Sequence, residues 1–266
     1  VSSLLDELMA AAERRARHIP RFLHRAGDAN AAGDANGAKG TSGAVGVRGR
    51  FARAVRGRER LHVIGEFKRA SPSAGKLTSR GPVDVAQEYA AAGVTALSVV
   101  TEPTRFAGSL EDLRRVAAHI ALPVLCKDFI ASERQIEAVA EAGAAAVLLI
   151  VRALDGGRLK EFAAAAAELG LDVLAECADA KEVERALALD DALIGVNNRD
   201  LATLEVDVAR APRLLKRVPP ERIAVAESGY ASAADLAPLD GVADAVLVGT
   251  ALLRGGDVAA FVRRKP

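Results

Sequence analysis

Tryptophan is absent from the 266 residues, and only seven Phe and two Tyr stand in for it. A core built on large aromatic side chains is therefore excluded. The interior must be closed by small and branched residues, and half of the chain is hydrophobic, mostly Ala, Val and Leu. That composition suits close packing of helices on a sheet, and a compact fold of this length buries roughly 70–75% of its unfolded surface. Cysteine is nearly missing too. Cys126 and Cys177 lie in separate strand-like segments without CxxC or Cys/His spacing, which argues against a disulfide framework and a zinc site, and fits a reducing cytoplasm. The four histidines (His18, His24, His62, His119) avoid the strand ends derived below, so neither a His base nor a metal centre is expected; no metal or cofactor is predicted. There is no excess of charge of either sign: 36 Lys and Arg face 35 Asp and Glu, giving no general pull toward nucleic acid or an anionic membrane. Nor is there an apolar run of 18 residues, and acids (Asp6, Glu7, Glu13) interrupt the N-terminal arginines, unlike a signal peptide. The expectation is a soluble, untargeted, cytoplasmic protein, monomeric or weakly oligomeric.

What is present falls into two parts. Residues 1–50 combine an amphipathic helix, with Leu4, Leu5, Leu8 and Met9 at helical spacing, and a Gly/Ala/Asn-rich stretch (26–49) with almost no bulky apolar side chain. That stretch is expected to be a flexible loop. Residues 51–266 form the second part, in which a unit recurs from Leu61 onward: a short apolar run, a polar turn, and an amphipathic stretch ending in Gly. Ala91-Ala92-Gly93 before Val94–Val100 is matched by Glu141-Ala142-Gly143 before Ala144–Ile150, and Gly170 precedes Leu171–Leu174 in the same way, as where a helix ends in a left-handed residue. Eight strands are predicted, at 61–67, 96–101, 123–126, 146–150, 172–176, 193–197, 223–227 and 245–249. Ser109 with Asp112, Ser132 with Gln135 and Asp179 with Glu182 mark helix starts between them. Eight βα units in about 200 residues is the count of a closed (β/α)8 TIM barrel, whose active site lies at the C-terminal ends of the strands. A doubly wound open sheet is the alternative, disfavoured because no Gly-x-Gly-x-x-Gly or P-loop occurs.

Chemistry-bearing residues gather at those strand ends. Glu66 and Lys68 leave the first strand two positions apart, hence on one face; a solvated surface ion pair is the competing reading. Lys127 and Asp128 follow the third strand, Glu176 ends the fifth, Asn197 and Arg199 the sixth, Glu227 and Ser228 the seventh. The opposite ends offer little besides His62. Alternation sends Lys127 toward the mouth and Cys126 toward the helices, and separates Glu176 from Cys177 likewise. Desolvation and neighbouring charge can bring such a lysine toward neutrality and make it an acid or base; a structural partnership with Glu176 or Glu66 is its competing role. Gly229 after strand seven, and Gly249 with Thr250 after strand eight, stand where such barrels cradle phosphate. A small phosphorylated substrate is expected.

Taken in order, Gly-Glu-Phe-Lys-Arg-Ala-Ser-Pro-Ser (65–73), Phe-Ala-Gly-Ser-Leu-Glu-Asp-Leu (106–113), Pro-Val-Leu-Cys-Lys-Asp-Phe (123–129), Ile-Gly-Val-Asn-Asn-Arg-Asp-Leu (194–201) and Ala-Glu-Ser-Gly (226–229) resemble the indole-3-glycerol phosphate synthase family, from about Phe51 to Arg263. The resemblance implies a cofactor-free carbon-carbon lyase of tryptophan biosynthesis. It would convert 1-(2-carboxyphenylamino)-1-deoxyribulose 5-phosphate to indole-3-glycerol phosphate, CO2 and water. By the same implication Lys127 is the general acid and Glu176 the general base. Lys68 meets the aromatic carboxylate and serves in the dehydration, and Glu66 and Asn197 orient the lysines and substrate hydroxyls. Ser71, Arg199, Glu227 and Ser228 fall at substrate positions, Phe106 and Phe129 at aromatic walls, and Gly229, Gly249 and Thr250 at the phosphate end. Two departures touch fine contacts: Thr250 where Ser is common and Arg105 where an aromatic is common. A sugar-phosphate isomerase on the same barrel is the alternative activity, and a non-catalytic phosphate-binding protein is a third reading.

Overall fold

In the computed structural model, residues 3–20 and 49–262 are described; the expected flexible loop at 26–49 lies outside them except for Gly49. Eight parallel strands close into one barrel: β1 (His62–Phe67), β2 (Ala96–Val100), β3 (Val124–Lys127), β4 (Ala146–Ile150), β5 (Asp172–Cys177), β6 (Leu193–Asn197), β7 (Ala224–Glu227) and β8 (Ala245–Val248). Each pairs with its successor and β8 returns to β1. The barrel was expected, and each strand falls within one residue of its predicted limits.

The strands are apolar on both faces because both are covered. Ile64, Leu125, Leu148, Leu174, Leu193, Val225 and Leu247 fill the barrel interior. Val63, Val147, Val173, Ile194 and Val246 point outward against the helices. The absence of large aromatics has its counterpart here: alanines and valines let the helices approach closely. At Gly65 the approach is close enough that a Cβ would meet the Tyr89 ring.

The helices between strands follow local signals. The series runs α3 (Pro82–Ala92), α4 (Leu110–His119), α5 (Glu133–Glu141), α6 (Gly156–Glu168), α7 (Ala180–Leu187) and α8 (Arg210–Leu215), after α1 (Leu4–Ala16) and α2 (Arg50–Ala54). Ser109 caps α4 by accepting from the Asp112 N–H, and Asp179 caps α7 through the Glu182 N–H. Ser132 instead accepts from Arg134 N–H, one residue earlier than predicted, because Gln135 is turned back to bridge the Ala131 N–H and the Phe129 carbonyl. Gly93, Gly143 and Gly170 take the left-handed conformation after α3, α5 and α6, with φ of 94°, 85° and 75°. After β8 come the short helices α9 (Thr250–Leu253) and α10 (Val258–Val262).

The expectation that the N-terminal strand ends hold little besides His62 is corrected by the structure. Asp172, buried at the start of β5, accepts from the backbone N–H groups of Gly49, Phe51 and Ala52 at 2.8, 2.9 and 2.9 Å. It thereby fixes α2 as a plug under the barrel, with Phe51 and Val55 fully buried in the interior. Asp244, just before β8, accepts from Gly57 N–H, Ala224 N–H and the Arg58 guanidinium. These carboxylates face backbone donors, which explains their burial without any chemistry. At the other end of the barrel, α1 lies across the mouth.

Candidate active site

Strand alternation delivers the predicted residues to the C-terminal mouth. Glu66, Lys68, Lys127, Glu176, Asn197, Arg199, Ser71, Phe106, Phe129, Ser228 and Thr250 all line one cleft of about 810 Å³, open to solvent. Cys126 and Cys177 point the other way into the outer core, as alternation requires, and both are free thiols. Burial pushes both thiols up, well out of the reactive range.

Lys127 is the centre of the charge arrangement. Its Nζ donates to Glu176 Oε2 at 2.9 Å and Glu227 Oε2 at 3.1 Å. Beside it, Lys68 donates to Glu66 Oε1 at 2.5 Å. The expectation that burial would bring Lys127 toward neutrality is corrected. Desolvation does pull its ammonium down, but Glu176, Glu227 and Glu66 together outweigh it and hold the lysine above its usual range. The shift appears instead on Glu227, whose carboxyl has no exposure; desolvation, against the opposing pull of Lys127, raises it to about 7. Burial pulls the Arg199 guanidinium below its usual value, with Glu66 opposing. Lys68, Lys127 and Arg199 thus face Glu66, Glu176 and Glu227, and the last of these can hold a proton near neutral pH.

Two glycines make room for these acids. A Cβ at Gly249 would clash with the Glu66 carboxylate, and one at Gly195 with that of Glu227. Gly249 is therefore needed beside Glu66 whatever else it does. Gly229, Gly249 and Glu227 are not among the residues that line the cleft, but Ser228 and Thr250 next to the two glycines are. Ser228 has a φ of 67°, a left-handed value that costs a non-glycine residue about 1 kcal/mol or more. Asn198 holds it there by donating from Nδ2 to the Ser228 carbonyl. Asn197 makes no hydrogen bond to either lysine; its Oδ1 accepts from Arg199 N–H and shapes the turn after β6. Ser71 caps its own turn through Ala74 N–H, within the small hairpin formed by Ala70–Ser71 and Gly75–Lys76.

The cleft has two unlike sides. Val100, Phe106, Phe129, Leu148 and Ile150, from β2 to β4 and the segments that follow them, make an apolar wall, joined by Leu4 and Leu8 of α1. The Phe106 and Phe129 rings lie 6.5 Å apart. Ser228 and Thr250 follow β7 and β8, diametrically across the ring of strands. The cleft therefore suits an elongated molecule with an apolar end and a polar end, with Lys127 and Glu176 beside its middle. Leu4, Leu8, Leu148 and Ile150 were not predicted: nothing in an apolar strand or helix says which of its leucines meets a ligand and which meets the core. Glu227 was placed in the site, but as a substrate contact and not as the partner of Lys127. Among the described residues, no group of three His, Cys, Asp or Glu side chains is arranged to hold a metal ion. No helix among them is long and apolar enough to cross a membrane.

Comparison with known proteins gives one answer throughout. A family model described as indole-3-glycerol phosphate synthase matches residues 43–264. An indole-3-glycerol phosphate synthase of Deinococcus radiodurans is 46% identical over 207 residues, covering 77% of each chain. One from an Exiguobacterium strain is 48% identical over 203 residues, covering 75% of this chain and 79% of that protein. One from Thermococcus kodakarensis is 42% identical over 217 residues, 80% of this chain and 95% of its own.

Proposed function

The chain belongs to the indole-3-glycerol phosphate synthase family, the carboxy-lyases of tryptophan biosynthesis, and from that premise we propose how its residues divide the work. The reaction takes 1-(2-carboxyphenylamino)-1-deoxyribulose 5-phosphate to indole-3-glycerol phosphate, CO2 and water. The observation that carries the assignment is the Lys127 ammonium, bonded to Glu176 and Glu227 at the middle of a cleft with an apolar and a polar end. A sugar-phosphate isomerase is not favoured: it has no use for the apolar wall.

The aryl ring lies against Phe106 and Phe129, and its carboxylate meets Lys68. The phosphate lies across the barrel at Ser228, Gly229, Gly249 and Thr250, with backbone N–H groups and hydroxyls as donors. Arg199 and Ser71 contact the substrate between these ends. The ring carbon bearing the carboxylate attacks the ribulose ketone, whose oxygen becomes an alkoxide. A ketone is too weak a base to take a proton from a lysine held above its usual range, but an alkoxide is not. Lys127 therefore gives up its proton only as the carbon-carbon bond forms. CO2 then leaves from the same ring carbon, its electron pair restoring aromaticity. In the last step the new hydroxyl leaves as water after protonation by Lys68, and Glu176 removes the proton from the adjacent carbon. Glu66 fixes Lys68 for both of its contacts.

Glu227 has a supporting part. With a carboxyl raised to about 7, it can hand its proton to the Lys127 amine across their 3.1 Å contact once the lysine has protonated the alkoxide, restoring the ammonium beside a carboxylate. The two unpaired, buried cysteines are consistent with a reducing cytoplasm as the place of action.

The test is turnover. Purified protein given the carboxyphenylamino ribulose phosphate is expected to release one CO2 per indole chromophore formed, followed by indole fluorescence. Product formation without CO2 would point to an isomerase, and binding without turnover to a non-catalytic protein.

A further inference from the structure

Glu102, just after β2, is a buried acid with no part in the chemistry above, 1% exposed. Pro103, Thr104 and Arg105, which follow it, are exposed and belong to neither strand nor helix. The backbone N–H groups of such a turn have no sheet or helix partner to satisfy them. Glu102 supplies the acceptors from within. Its Oε1 accepts from the Thr104 N–H at 2.8 Å and the Thr104 hydroxyl at 2.5 Å, and its Oε2 from the Arg105 N–H at 2.7 Å and the Phe106 N–H at 3.1 Å. A carboxylate has about four acceptor sites, and here one turn takes them all.

The turn is closed at its far end as well. The Gly108 N–H donates to the Glu102 carbonyl at 2.9 Å, and Gly108 lies so near the end of β2 that a Cβ there would collide with the Val100 carbonyl. Between the two closures Ala107 has a φ of 53°, a left-handed value that a non-glycine residue keeps only where its surroundings impose it. Phe106 is what this frame fixes. Its N–H goes to Glu102, its carbonyl accepts from the Ala70 N–H at 3.1 Å, and its side chain lines the cleft 6.5 Å from the Phe129 ring. Phe129 is held in the same manner: Asp128 accepts from its N–H, and Gln135 donates to its carbonyl. Neither ring rides on a strand or a helix; each takes its place from a buried polar side chain bonded to its backbone.

We propose that Glu102 is a positioning residue for the aryl end of the substrate: by holding the turn at Thr104, Arg105 and Phe106, it keeps the Phe106 ring on the face of the cleft that receives the substrate ring. The inference rests on the functional reading above. Glu102 does not itself line the cleft; it acts through Phe106. The whole acidic side chain is required. A glutamine turns an NH2 group toward the donors on one side and leaves at least one N–H without an acceptor, and an aspartate is one methylene short of the same bonds. Because the turn is exposed, water takes up the released N–H groups, so such variants lose the order of the turn and keep the barrel.

The test is a double-mutant cycle of Glu102→Gln, Phe106→Leu and the two combined, using the substrate and two fragments as competitive inhibitors, anthranilate for the aryl end and inorganic phosphate for the other. In Glu102→Gln the anthranilate inhibition constant is expected to rise and kcat/KM to fall about tenfold, the scale of one lost aromatic contact, with the phosphate inhibition constant within about twofold of wild type. In the Phe106→Leu background the same change should move anthranilate binding by less than about twofold, because the ring through which Glu102 acts is gone. Equal losses from Glu102→Gln in both backgrounds would overturn the proposal, as would equal weakening of anthranilate and phosphate. A lower melting temperature with unchanged anthranilate inhibition would show a purely structural turn and overturn it too. If Glu102→Gln does not fold, the same readings on Glu102→Asp decide. Failure of the functional reading is distinct, since it appears as absent turnover in the wild type.

Discussion

Lys127 keeps its proton because three carboxylates surround it, which suits the acid role proposed for it. The sequence showed that Lys127 would face the mouth, since alternation along a strand is local. It did not show the direction of its titration. That depends on Glu176 and Glu227, which lie 49 and 100 residues further along the chain and meet the lysine only after the barrel closes. Glu227 makes the cost of that arrangement measurable. Its carboxyl moves from an ordinary value of 4.5 to about 7 in the fold, chiefly through desolvation. Between those values the native state binds more protons at this group than the unfolded chain does. Stability from Glu227 is therefore fully present below pH 4.5 and is lost as pH rises through about 7. Glu227→Gln cannot titrate there. In urea unfolding from pH 4.5 to 8, wild type is expected to lose stability relative to Glu227→Gln as pH rises. The difference between the two proteins cancels His62, which burial pulls down and whose contribution runs the opposite way. A constant difference across this range would mean that Glu227 is ionised throughout.

Single elements were legible where their signals are local, and illegible where the partner is distant. The caps of α4 and α7 and the terminal glycines of α3, α5 and α6 were read from three or four adjacent residues. The plug α2 was not anticipated: five residues in an Arg/Ala-rich stretch carry no strong periodicity, and its N-terminal donors are answered by Asp172, some 120 residues away. Helix α1 was recognised from its apolar spacing, but its ion pair at the mouth joins Arg15 to Asp128, 113 residues away. The two short ends of the molecule separate stability from catalysis. Asp172→Ala is expected to lower the unfolding free energy by about 1–3 kcal/mol, since three backbone N–H groups, that of buried Phe51 among them, lose their acceptor. Its kcat should remain that of wild type when assayed below the unfolding transition. A large loss of kcat at unchanged stability would show that the barrel bottom communicates with the mouth.

At the scale of the whole molecule, the closed ring explains why one cleft can hold two incompatible ends. Strands β2 to β4 supply an apolar wall, and the segments after β7 and β8, half a turn away, supply the hydroxyls of Ser228 and Thr250. Recurrence of the βα unit was sufficient to predict the barrel, because eight units of this length leave few other ways to bury both faces of every strand. It also located the mouth, since the acids and bases clustered at one set of strand ends. The apolar lining could not be read in advance, because leucines that meet a substrate and leucines that meet a core obey the same pattern. Lys127 is the proposed proton donor at the centre of that ring. The most direct measurement is kcat for Lys127→Ala at saturating carboxyphenylamino ribulose phosphate, with folding verified by denaturant unfolding. A loss of about 10²–10⁴-fold is predicted, as for removal of a general acid; a folded variant retaining more than about a tenth of wild-type kcat would contradict the assignment.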